Sequence, residues 1–180
     1  MEFLRELFTT YWSQMTLIFL GIGYLIKRIL ELTSRKKEIN HNLFQDKKLD
    51  AVNSFFRAYA EVQQMWHGIA IHDILRGKIE SKEIDIIVSP AINKLQTTVL
   101  ELQIYFEQKE FAYFNLVYEN MLDINKELSD LYFEDLPITI PQKVNRYYSY
   151  RNSKIIENDK ILKQISFVIR NTFNNNIMNI

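Results

Sequence analysis

The sequence predicts an all-α protein, with one N-terminal transmembrane helix followed by a cytoplasmic helical bundle. Three observations predict it. Leu7 to Ile26 is an uncharged run of 20 residues; the rest of the chain repeats apolar residues at three- and four-residue spacing; and neither sustained alternation nor an Asn-Gly hairpin signal points to strands. The expected division is 1–32 for the membrane helix and its flanks and 33–180 for the bundle.

Composition removes several function classes. The 180 residues include 22 basic and 22 acidic side chains, four glycines, three histidines and no cysteine. Disulfide scaffolds and cysteine-ligated zinc are therefore excluded. The close glycine pair Gly21 and Gly23 lies inside the apolar run, so no phosphate-cradling loop is available.

The run LFTTYWSQMTLIFLGIGYLI would cover about 30 Å as a helix, the thickness of a bilayer core. Tyr11 and Trp12 suit one interface, and Tyr24, Lys27 and Arg28 the other. Arg5 alone precedes the run, whereas Lys27, Arg28, Arg35, Lys36 and Lys37 follow it, which predicts a single-pass membrane protein with a cytoplasmic C-terminal domain. At 100° per residue, Thr9, Ser13, Thr16, Leu20, Gly23 and Lys27 fall in one stripe. A small and polar stripe in lipid predicts self-association, either by helix packing or around a water-filled lumen.

The following helices are placed by their apolar rhythm. The first carries Leu49, Val52, Phe56, Tyr59, Val62, Trp66 and Ile69, with Gly77 expected as its C-terminal cap. The next is expected to start with Ser89 as N-cap and Pro90 in the first turn, and carries Ile92, Leu95, Val99, Leu102 and Phe106. A third carries Phe114, Val117, Met121, Ile124, Leu128 and Leu131. After a break at Leu136 to Pro141, the last carries Ile155, Leu162, Ile165, Ile169 and Phe173. Four such helices can enclose one core.

Charge along these helices is sorted. Between Glu101 and Asp135 nine acidic residues stand against Lys109 and Lys126, with Glu119, Asp123, Glu127, Asp130 and Glu134 tracking one face. From Lys143 to Arg170 there are seven basic residues against Glu157 and Asp159. Arg146 and Arg151 with the acidic face are candidates for pairing between subunits, and pairing within one chain satisfies the same pattern. The cluster Arg146-Tyr147-Tyr148-Ser149-Tyr150-Arg151 has the composition of a single-stranded RNA contact. An interface loop is the favoured reading, because no extended basic groove accompanies it; direct RNA binding is not expected.

Candidate chemistry is sparse. His67 and His72 are five residues apart and splay by about 140° on a helix, so no metal or cofactor is expected. Arg35 and His41 form an R-x5-H element, the pattern with which helical RNases of the HEPN class supply a general acid or base and a cation for the scissile phosphate.

The opening Phe3 to Trp12 (FLRELFTTYW), the single uncharged span, Arg35 with His41 and the helical remainder together resemble the small membrane accessory protein of type VI-B CRISPR systems, encoded beside an RNA-guided RNase. The resemblance implies a homo-oligomeric ring of about eight subunits in the lipid of the bacterial inner membrane, forming a pore that the RNase triggers and that depolarises infected cells in antiphage defence. Arg35 and His41 would be its HEPN-like element. The expected function is therefore a non-enzymatic pore. A membrane-tethered RNase using Arg35 and His41, a messenger-sensing effector binding an anion at Arg146 and Arg151, and a passive scaffold are the rival readings.

Overall fold

The structure, a computed structural model, describes the backbone of residues 2–133 and 137–177 and the side chains of residues 10–12, 14, 16–133 and 137–171. Five helices follow in order: α1 (Glu2–Gly68), α2 (Ile71–Leu75), α3 (Ser81–Leu102), α4 (Gln108–Phe133) and α5 (Ile140–Ile177). The chain divides into two compact units, Met1–Lys47 and Lys48–Ile180.

The transmembrane helix expected at Leu7 to Ile26 is corrected. Among the described residues, no helix is long and apolar enough to cross a membrane. The physical reason lies in the first half of the run, where Thr9, Thr10, Ser13, Gln14 and Thr16 dilute the apolar residues. Only Leu17 to Ile26, ten residues, is strongly apolar. As a helix that stretch covers about 15 Å, half a bilayer core.

The run instead belongs to α1, a helix of 67 residues. Between Lys27 and Lys48 the sequence offers no glycine or proline, and Lys, Arg, Glu and Leu all favour helix. Nothing there interrupts the turns. The first helix, expected to extend toward the bundle through Glu31 to His41, instead runs on without a break into the first bundle helix.

In the second unit, residues 48–68 of α1 and helices α2 to α5 surround one core. Phe55, Val62, Leu95, Phe114, Val117, Met121 and Ile124 are sealed from solvent. Phe114 meets the edge of Phe55 at 5.1 Å and packs on Phe106 at 5.0 Å between ring centroids. Helix α4 packs along α5 and also touches α3, while α2 lies against α5 and α4.

Local chemistry sets the ends. Gly77, at φ +71°, closes α2 rather than a longer helix. Its N–H donates to the Ile74 carbonyl at 2.8 Å and that of Lys78 to the Asp73 carbonyl at 3.0 Å, the paired closure that a left-handed glycine permits. Helix α3 starts eight residues before the expected Ser89, because Glu80 and Glu83 form a reciprocal capping box. Pro90 therefore lies inside the helix, and the Ile86 carbonyl lacks its usual donor. Helix α5 begins behind Thr139, whose N–H and hydroxyl both donate to Gln142 Oε1 at 2.8 and 3.0 Å. It absorbs the Arg146 to Arg151 cluster, so the interface loop expected there is helix.

Candidate functional site

Every described side chain from residue 10 to residue 44 of α1 is exposed. Large apolar groups dominate: Ile18, Leu25, Ile29 and Ile39 each expose 60% or more of their surface. Ile18, Ile22, Leu25, Ile29, Leu32, Ile39 and Leu43 follow a four-three rhythm that places them along one line, interrupted at its sixth position by Lys36. A continuous apolar line in water is unfavourable and marks a surface made to be covered.

The stripe expected to pack or to line a lumen lies elsewhere on the same helix. Thr9 and Ser13 have side chains outside the described residues. Thr16, Leu20, Gly23 and Lys27 do come together, lining a shallow concavity with Trp12, Phe19 and Tyr24. In the seven-residue register of the apolar line they occupy the outward positions. The Thr16 hydroxyl donates to the Trp12 carbonyl at 2.8 Å, and that of Thr33 to Ile29 at 2.8 Å, so both are satisfied by their own helix. Lys27 Nζ stands 3.9 Å from Glu31.

The acidic and basic helices meet within the chain. Arg146 Nε donates to Glu127 Oε1 at 2.7 Å, and Lys154 Nζ to Asp123 Oδ2 at 2.7 Å. Asn120 Oδ1 accepts from the same ammonium at 2.9 Å. Burial of Lys154 opposes its charge, but the bond to Asp123 and the nearby acidic groups outweigh it and hold its pKa above the ordinary lysine range. Glu119 accepts from Asn115 Nδ2 at 2.7 Å, Asp130 is half-buried, and Glu134 lies outside the described residues.

Arg151 is buried and is not part of this charge pairing. Its NH1 donates to the Trp66 carbonyl at 3.0 Å, and the guanidinium lies 4.9 Å from the Tyr148 ring. Tyr147, four residues earlier on the same face of α5, packs on Trp66 with centroids 6.4 Å apart. Among the described residues, the buried Trp66 Nε1, Tyr147 hydroxyl and Arg151 Nε groups have no hydrogen-bond partner. Burial pushes the Tyr147 hydroxyl pKa up, and raises that of Tyr59 to about 12. Tyr147 and Arg151 are thus spent inside the bundle, which removes two groups from the RNA-contact composition.

The remaining candidates are dispersed. Arg35 and His41 are both exposed and separated by about 120° around α1. His67 and His72 are exposed as well, not packed among the apolar groups around them. Among the described residues, no group of three or more His, Asp or Glu side chains is arranged to hold a metal ion. Between α3 and α4, Ser81, Asp85, Asn125, Ser129 and Tyr132 border a cavity of about 50 Å³. That is room for one or two waters, far below a nucleotide.

Sequence reasoning missed the apolar line on α1. Its signal is the four-three spacing, which crosses the expected division between residues 32 and 33.

No protein-family model matches the chain, and comparison with curated proteins and with solved structures returns no match.

Proposed function

We propose that the protein is a non-catalytic effector that works as an assembly of its own copies, joined through the first part of α1. The observation that carries this is the exposed apolar line from Ile18 to Leu43. A helix stripe of that kind buries its side chains against another helix. The bundle, by contrast, closes its own core.

The resemblance noted for Phe3 to Trp12 and for Arg35 with His41 supports a setting for such an assembly, as accessory to an RNA-guided RNase in antiphage defence. The reading includes no membrane-spanning pore, since the wall of a pore needs a spanning helix and, among the described residues, no helix is long and apolar enough to cross a membrane.

The test is molar mass by light scattering over a range of concentrations. Wild type is expected at more than one copy, and a variant carrying Ile18→Gln, Leu25→Gln and Ile29→Gln at one copy with its near-ultraviolet dichroism unchanged. Wild type that stays at one copy throughout overturns the reading.

A further inference from the structure

The apolar line carries more than self-association. We infer that residues 18–43 form a parallel, in-register, two-stranded coiled coil with a second copy of this chain, a deepening that rests on the assembly reading above.

Ile22, Ile29 and Leu43 take the first position of successive heptads, and Ile18, Leu25, Leu32 and Ile39 the fourth. β-Branched residues at the first position with leucine at the fourth favour two parallel strands, a pattern that Ile22, Leu25, Ile29 and Leu32 follow at the centre of the seam and that Ile18, Ile39 and Leu43 at its ends do not. The 26 residues make a seam about 39 Å long. All seven apolar members of the seam are at least 47% exposed, so the whole line is open to a partner.

Lys36 occupies a first position in the middle of this seam and is exposed. Its stem can lie along the seam and its ammonium reach water only where two strands leave the flank open. In register, the two copies of Lys36 share one layer. A slip by one heptad makes two charged layers, as does an antiparallel arrangement, where each Lys36 faces Leu25 of the other copy. Charge at the flanks points the same way. Arg28 and Arg35 precede the two central first positions, Ile29 and Lys36. An antiparallel pair sets Arg28 of each copy beside Arg35 of the other, whereas a parallel pair sets these arginines beside Thr33 and Asn40, which carry no charge.

The chain has no cysteine, so introduced thiols report without background. A disulfide needs Cα atoms within about 7 Å. Under mild oxidation, full-length Ile22→Cys is expected to run almost entirely as a covalent dimer, while Lys27→Cys, on the outward side, cross-links at least tenfold less. In an antiparallel pair, residue 22 faces residue 39 of the other copy, and the two copies of residue 22 stand about 26 Å apart. Cross-linking only in a mixture of Ile22→Cys with Ile39→Cys would therefore overturn the parallel orientation. An assembly that scatters as several copies yet forms no 22–22 bond overturns the inference and leaves the assembly reading standing. Single copies at every concentration remove both. Lys36→Ile, which takes the charge out of the seam, is expected to raise the mass above two copies; unchanged mass removes the two-strand limit assigned to Lys36.

Discussion

Asn120 on α4 and Asn158 on α5 are hydrogen-bonded to each other inside the bundle, Nδ2 of Asn120 to Oδ1 of Asn158 at 2.8 Å, with 2% and 0% of their surfaces exposed. A buried amide pair of this kind is costly to break on one side, because the remaining donor keeps its desolvation cost without its bond. Asn158→Ala is expected to lower stability by about 1 to 3 kcal/mol. The double variant with Asn120→Ala should cost less than the sum of the two, with a coupling of about 1 kcal/mol. Urea titrations of the four proteins measure this, and strict additivity would contradict the pairing.

Tyr147 offers the opposite case. Its hydroxyl is buried with no partner among the described residues, so Tyr147→Phe removes a cost and retains the ring against Trp66. Stability should stay within about 1 kcal/mol of wild type or rise. Tyr147→Ala, which empties the ring's place, should lose about 3 to 5 kcal/mol. A loss above about 2 kcal/mol for the phenylalanine variant, roughly twice a net hydrogen bond, would show that the hydroxyl is bonded.

Alkaline pH should unfold the bundle through its tyrosines. Burial raises the Tyr59 pKa to about 12 and raises that of Tyr147, so the folded state keeps protons that the unfolded chain releases near pH 10. Their contribution is complete below the unfolded value and is lost as pH rises toward the folded one. Lys154, raised by Asp123, loses its contribution in the same direction above the ordinary lysine value. Denaturation midpoints should fall steeply between pH 10 and about 12, and Tyr59→Phe should flatten that fall. An unchanged slope in the variant refutes the assignment to Tyr59.

Gly77 separates backbone strain from crowding. An added Cβ meets nothing within 4 Å, yet φ is +71°. Gly77→Ala should cost about 1 kcal/mol from conformation alone, and Gly77→Asn less, since asparagine tolerates the left-handed region. Thermal midpoints rank the three proteins, and a loss for asparagine equal to that for alanine goes against this account.

Much of the bundle was legible in the sequence. Phe114, Val117, Met121, Ile124, Leu128 and Leu131, read from spacing alone, are all buried. The spacing works there because one face of α4 meets one core. It misleads at the N-terminus, where the uncharged run and its flanking Tyr, Trp, Lys and Arg have the pattern of a membrane span, but hydroxyls, Gln14 and aromatic groups fill half of the run. Ser89 and Pro90 resembled a helix start, but the stronger local signal was the glutamate pair at 80 and 83. The Arg146 to Arg151 cluster was read by composition. The four-residue separation of Tyr147 and Arg151 would have put both on the same side of α5, turned inward.

Pro90 gives α3 an uneven hold on the bundle. With the Ile86 carbonyl lacking its backbone donor, the turns ahead of the proline are fastened mainly by the glutamate cap and by the side chains of Ile84 and Val88. Their amide protons should trade with solvent sooner than those beyond Ile92, as a stretch that opens by itself while the rest stays shut.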